Sequence, residues 1–182
     1  MGSLGCQVAE ETARRLGYKL VWREIINQSA LRAGVPEVAL ATIDELDLLG
    51  LRPSRTDQQA YHRAVRHYMD ELSEEGNVVI VGRAGQVILK DHPGILHVRM
   101  IASKEIRISR TAKEKSIAED KARMIVEKSD QSRARYLRRN YHVEVDDPSL
   151  YDLVINTDRL LVPEAADLIC FAIDKIQQTK KL

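Results

Sequence analysis

The 182 residues carry 28 Lys or Arg against 27 Asp or Glu, a formal net charge of +1 that argues against polymeric nucleic acid as a partner. An apolar content of 44% and a charged content of 30% are those of an ordinary soluble globular protein, and the length suits one domain. No run of about eighteen apolar residues occurs, so no membrane partner is expected. Cys6 and Cys170 lie far apart and read as reduced thiols of a cytoplasmic protein.

In chain order, Met1 to Gln7 form a glycine-bearing loop that opens onto a helix with apolar residues at Val8, Ala9, Thr12, Ala13 and Leu16, closed by Gly17. Tyr18 to Val21 is a short strand candidate. Arg23 to Ala33 is predicted helical, and Pro36 opens a further helix up to about Leu49. Gly50 to Arg55 reads as a loop. Thr56 is placed to cap a helix from Asp57 to Glu75, whose stripe of Ala60, Tyr61, Ala64, Val65, Tyr68, Met69 and Leu72 is continuous.

Val78 to Val81 follows, four β-branched residues suited to a buried parallel strand, and Gly82-Arg83 ends it. Ala84 to Leu89 is expected as a short helix and Ile95 to Met100 as a second such strand. Ser103 caps a helix to about Lys115, and a charged helix runs from about Ile117 to Arg139. Leu153 to Asn156 is a last strand, and Pro163 opens a terminal helix. Strands alternating with helices indicate a parallel sheet covered on both faces, with ligands at the strands' carboxyl ends.

Three constellations fall at such places. The loop Gly2-Ser3-Leu4-Gly5-Cys6-Gln7 leads into a helix amino terminus, where unpaired amides and the helix dipole suit a phosphate; a plain amino-terminal tail is the alternative. It lacks the lysine and the Ser or Thr of G-x-x-x-x-G-K-[ST]. Arg83 and Arg23 each follow a strand, and either guanidinium could take a phosphate or pair with a surface carboxylate. Between Lys104 and Arg139 stand twelve Lys or Arg against six Asp or Glu, either a solvated face or a lid bringing cations onto a transferring phosphoryl group. The five histidines are scattered, so no catalytic metal is expected among the protein's own ligands.

Taken together these residues resemble the cytidylate-kinase-like branch of the P-loop nucleoside monophosphate kinases. Lys128 to Tyr136 is similar to a K-x-D-x-x-R-x-x-Y segment, and Asp147 to Thr157 to D-P-x-x-Y-D-L-x-I-N-T. Val78 to Arg83 resembles V-I-V-G-R, Gly2 to Gly5 resembles a G-S-G-G loop, and Arg23 to Ile26 resembles D-[KR]-E-I-I. The resemblance implies a three-layer α/β/α fold with a parallel sheet in the order 2-3-1-4-5, an acceptor-binding helical region over residues 22–76 and a lid over 104–147. It implies ATP phosphates on residues 2–7, Mg²⁺ bridging them, a nucleoside monophosphate over Arg23 and Arg83, and a lid supplying Arg133, Lys128 and Asp130.

In the family the strand before the loop is the central one, and it is absent from this chain. A gap or abnormal pairing is therefore expected between the strands at Val78–Val81 and Ile95–Met100, or a substitute strand from elsewhere, such as another subunit of a homodimer. Leu4, Trp22 and Ala84 stand where the family carries a glycine and two aspartates. The leading expectation is ATP-dependent phosphorylation of a nucleoside monophosphate, with cytidylate the default. A degenerate kinase fold that binds nucleotide without turnover is the rival, and a structural protein dimerising through the Asp57–Glu75 helix is the third reading.

Overall fold

The computed structural model describes residues 1–22 and 55–179, together with 27, 28, 31 and 34. Along the described residues the elements are α1 (Gly5–Leu16), β1 (Lys19–Val21), α2 (Arg55–Glu75), β2 (Val78–Ile80) and α3 (Gly85–Ile88). They continue with β3 (Val98–Ile101), α4 (Lys104–Lys115), α5 (Glu119–Tyr141), β4 (Leu153–Asn156) and α6 (Val162–Thr179). The helices predicted over 23–33 and 36–49 fall mostly outside the described residues, and Arg23 lies there too.

Every strand pair is parallel. β1 pairs with β2 in the register Lys19↔Val78, and β3 pairs with β4 in the register Val98↔Leu153. These are two separate two-stranded sheets, so among the described residues the strands at Val78–Ile80 and Val98–Ile101 do not pair, as expected. Ile95 and Leu96 are not part of β3. They lead into it and divide, Ile95 packing against the cluster that Val78 and Ile80 also flank and Leu96 against the one that Val98 and Met100 flank.

The α2 stripe accounts for the largest cluster. Tyr61, Val65, Met69 and Leu72 are buried at helical spacing and meet Val21, Ile88, Leu89, Tyr136 and Leu137. The helix begins at Arg55, so Thr56 lies inside its first turn and is not the residue flanking it. Its apolar face is buried in the chain's own core, which leaves little of it for a dimer interface. A second cluster joins Val8 of α1 to Ile155 of β4 and to Ala165 and Ile169 of α6. A third joins Ile108 and Ala112 of α4 to Ala122 and Val126 of α5.

Three helix ends are closed by left-handed residues, Gly17 for α1, Ser116 for α4 and His142 for α5, each giving its amide to a carbonyl of the last turn. Among the described residues no helix is long and apolar enough to cross a membrane.

Candidate functional site

α5 positions the site. It carries Asp130, Arg133 and Tyr136 at a spacing of three, which puts them on one side of the helix. Each meets a different part of the chain at the strands' carboxyl ends.

At the first station Asp130 accepts two bonds from Arg107, Nη1 to Oδ1 at 2.9 Å and Nη2 to Oδ2 at 2.7 Å. Arg107 stands in α4 just after β3. Its Nε also donates to the Ala102 carbonyl at 3.2 Å, and its Nη1 reaches the Met1 carbonyl at 3.5 Å. One turn on, Arg110 donates to the Gly2 carbonyl at 3.3 Å, to Thr157 Oγ1 at 3.0 Å and to the Thr157 carbonyl at 2.6 Å. Thr157, wholly buried after β4, lies 3.3 Å through its hydroxyl from the Ser3 carbonyl. The carbonyls of Met1, Gly2 and Ser3 are thus all held by residues that follow β3 and β4. Gly2 has φ +76°, and a Cβ there would sit 2.5 Å from the Arg107 carbonyl oxygen, so glycine is required for this approach.

With its carbonyls turned toward α4, the loop enters α1 through Leu4 in the left-handed conformation, φ 58°. The Val8 amide bonds the Leu4 carbonyl at 2.9 Å, which leaves the amides of Leu4 to Gln7 as the unpaired first turn of a twelve-residue helix. The Leu4 side chain packs against the cluster of Val8, Ile155, Ala165 and Ile169.

Arg133 is the second station. It is half-buried and has no hydrogen-bond or ion-pair partner among the described residues. Its charge is near enough to act on both Cys6, at the start of α1, and Tyr151. Partial desolvation and then Glu10 push the Cys6 thiol up, with Arg133 among the charges pulling the other way. Glu10 and Glu114 act on Cys6 as well, so the charge at this corner is mixed, and the groups in it suited to an anion are the helix amino terminus and the Arg133 guanidinium. Lys128 is exposed on the same helix.

Part of the remaining positive charge in α4 and α5 is neutralised locally. Arg123 pairs with Glu105 at 2.9 Å, Lys104 with Glu127 at 2.5 Å and Arg138 with Glu144 at 2.7 Å. For these residues the charged stretch is a solvated face; Arg133 differs in having no such carboxylate partner among the described residues.

The third station is Tyr136, buried beside Arg83. After β2 the backbone takes three consecutive positive φ values, Gly82 at 91°, Arg83 at 55° and Ala84 at 58°. This left-handed turn directs Arg83 inward. Its side chain is 2% exposed, its Nη2 donates to Asn27 Oδ1 at 2.9 Å, and its guanidinium lies 5.9 Å from the centre of the Tyr61 ring. Burial holds the hydroxyls of Tyr136 and Tyr141 above their ordinary pKa, so both stay protonated, while the Arg83 charge pulls each down.

The residues anticipated from sequence therefore assemble in part. Arg133 lies near enough to the start of α1 for its charge to act on Cys6, Arg83 sits in the turn after β2 near Tyr136 of α5, and Asp130 is engaged by Arg107. The sequence reading missed Arg107, Arg110 and Thr157 as the clamp on the loop, and Asn27, Tyr61 and Tyr136 as the surroundings of Arg83. The spacing of Arg107 and Arg110 on the helix directly after β3 was the available signal.

Residues 1–159 match the cytidylate kinase-like family. The chain belongs to this family. It is 30% identical over 123 residues to the cytidylate kinase of Thermoplasma acidophilum, a match covering 64% of the chain and 65% of that protein. It is 29% identical over 177 residues to the cytidylate kinase of Pyrococcus horikoshii, covering 96% of the chain and 85% of that protein. Among solved structures, an uncharacterized protein from Eubacterium ventriosum superposes with a TM-score of 0.74 at 23% identity, covering 95% of the chain and 92% of that one. The family and its fold agree with the mixed α/β arrangement of parallel strands and helices described above.

ATP and Mg²⁺ are implied by the family. The free amides of residues 4–7 and the Arg133 guanidinium match phosphate oxygens in kind and sign. Among the described residues no group of three or more His, Cys, Asp or Glu could hold a metal ion. That fits a Mg²⁺ carried by phosphates and water, and it does not fit a dedicated protein cage.

Proposed function

We propose that the chain transfers the terminal phosphoryl group of ATP to a nucleoside monophosphate, with cytidylate the default acceptor. The observation that carries this reading is Arg133, a half-buried guanidinium without a partner among the described residues, held by α5 beside the unpaired amides that open α1. The relatives' names supply the acceptor class; they are cytidylate kinases.

Such a transfer asks for positioning and for neutralisation of charge on the moving phosphoryl group more than for covalent chemistry. The amides of residues 2–7 cradle the donor's phosphates. Arg133 reaches across the loop to the transferring group, and Lys128 supplies further charge from the same helix in place of the absent loop lysine. Mg²⁺ bound with the nucleotide would supply further charge neutralisation at the donor phosphates. Asp130 is a positioning residue, since its two bonds to Arg107 fix the rotation of α5 and thereby where Arg133 points. Arg83 takes the acceptor's phosphate, aided by Arg23.

The three-layer order 2-3-1-4-5 and a division into an acceptor region over 22–76 and a lid over 104–147 belong to this same reading. So does a cytoplasmic setting, where both nucleotides are available.

The test is ADP release with each of the common nucleoside monophosphates, alongside calorimetric binding of ATP and the acceptor. ADP formation that depends on a pyrimidine monophosphate supports the reading. Tight ATP binding with no ADP formed under any acceptor overturns it in favour of the binding-only alternative.

A further inference from the structure

The helix α6 covers α1 and β4 with one side and leaves the other bare. Ala165, Ala166 and Ile169 are buried, and Ile169 joins the cluster of Val8 and Ile155. Arg15 pairs with Asp167, and Gln177 Nε2 donates to the Tyr18 hydroxyl at 2.8 Å, so α6 is tied to α1 and to the residue beyond its cap. The outer line of α6 is Leu161, Glu164, Leu168, Phe171 and Lys175, spaced by three and four residues and hence on one side of the helix. Leu161 stands just ahead of α6 and accepts the Ala165 amide at 3.1 Å, which places it in the first turn.

Met124, Val154, Leu161, Leu168 and Phe171 are the large apolar residues exposed among the described residues, and the last three share this line at 64%, 45% and 63% exposure. One surface Leu or Phe needs no explanation; three at helical spacing make a face that gains from cover.

The order of residues along the line says what covers it. Leu168 lies as far before the point between residues 169 and 170 as Phe171 lies after it, and Glu164 as far before it as Lys175 after it. Laid antiparallel on a copy of itself about that point, the line sets apolar on apolar at its centre and carboxylate on ammonium at each end. A parallel pairing would set Glu164 on Glu164 and Lys175 on Lys175. Glu164 has no hydrogen-bond or ion-pair partner among the described residues. Lys175 Nζ lies 5.3 Å from the centre of the Phe171 ring and donates to Gln178 Oε1 at 3.4 Å, contacts that keep the ammonium on this same line.

We propose that α6 pairs with α6 of a second copy of this chain, antiparallel about a two-fold axis between residues 169 and 170, with Leu168 against the partner's Phe171 and Glu164 against the partner's Lys175. Each contact then occurs twice, as two-fold symmetry requires. One helix a side is a small interface, so the dimer forms at concentrations on the order of 10–100 µM and is not obligate. The inference does not depend on phosphoryl transfer, and its readout is mass, separate from activity.

Sedimentation of the full chain from about 5 to 500 µM tests it, in a reducing buffer that keeps Cys6 and Cys170 as thiols. The parent is expected to pass from monomer to dimer across this range. Phe171→Ser removes the central contact and is expected to weaken association about tenfold or more, with helicity by circular dichroism unchanged. Glu164→Lys and Lys175→Glu, each alone, bring like charges together at both ends and are expected to weaken it by a similar factor. The two charge changes combined restore opposite charges and are expected to return the dissociation constant to within about threefold of the parent's. That rescue is specific to the antiparallel pair, because a loss of helix stability is not reversed by a second charge change. A parent that stays monomeric throughout overturns the proposal. So does a dimer indifferent to these changes, which would place the interface elsewhere, and so does a doubly changed chain as weak as the singly changed ones.

Discussion

Arg107 and Asp130 meet end to end, guanidinium against carboxylate through two bonds of 2.9 and 2.7 Å, and this pair locks α4 to α5 at the level of the amino-terminal loop. Arg107 is largely enclosed and Asp130 is more open. Asp130→Asn removes the charge and one of the two acceptors. It is expected to cost about 1–2 kcal/mol in urea denaturation. Arg107→Lys is expected to cost a similar amount, since a single ammonium cannot reproduce the two-pronged geometry.

Arg133 has the opposite character, a cation with no structural partner to lose among the described residues. Arg133→Ala should leave the circular dichroism spectrum and melting temperature close to those of the parent. On the proposed reading the same change lowers the rate of ADP formation by roughly 10³-fold or more, the scale of an arginine acting on a transferring phosphoryl group. An unchanged rate would show that Arg133 does not contact the reacting centre.

Gly2 makes a sharper test of the loop than its charge-bearing neighbours. Its Cβ position falls 2.5 Å from one backbone atom of Arg107 and 2.8 Å from another, and φ is +76°. Gly2→Ala must displace the loop from α4. Affinity for ATP is expected to fall in calorimetry while the α2 core, which Gly2 does not touch, keeps its hydrogen-exchange protection.

Ala84 holds φ 58° with its methyl buried in the main cluster. A β-branched side chain at that backbone angle is far more strained than alanine, and its extra methyl groups would have to fit into a buried cluster. Ala84→Val is therefore expected to destabilise the fold by about 2 kcal/mol or more in chemical denaturation. Because Arg83 shares the turn, the variant should also weaken acceptor binding.

Acid titration addresses α1. Bonds from Arg14 first and Arg15 next hold the Glu11 carboxyl at about 2, against an ordinary 4.5. A depressed folded-state pKa means that its stabilising contribution is present above 4.5 and is lost as the pH falls through 4.5 toward 2. Carboxyl NMR should show the low midpoint directly. Glu11→Gln is expected to flatten the acid side of the stability profile in that window.

Much of the fold was readable because its periodicities are strong. The Tyr61–Val65–Met69–Leu72 stripe and the run Val78 to Ile80 each admit one interpretation, and the structure places them accordingly. Boundaries were less readable. Ile95 and Leu96 are as apolar as a strand, but the ladder starts only at Val98, where β4 begins to supply partners. The site was readable as types of residue at strand ends and not as contacts. Nothing local to Arg107, Arg110 or Thr157 shows that they close on carbonyls more than a hundred positions away. Nor does the sequence around Arg83 reveal that the chain there turns left-handed for three residues and sends the guanidinium inward.

The stations on α5 have one more consequence. Asp130, Arg133 and Tyr136 are separated by three residues each, so a rise of about 1.5 Å per residue sets them some 4.5 Å apart along the axis. The helix is in effect a ruler laid across the strand ends, graduated from the loop to the buried arginine. Whatever seats itself at Arg133 finds its distance to Tyr136 already fixed by helix geometry. Shortening or lengthening α5 by one residue between these marks would turn the later one by about 100° and take it off the scale.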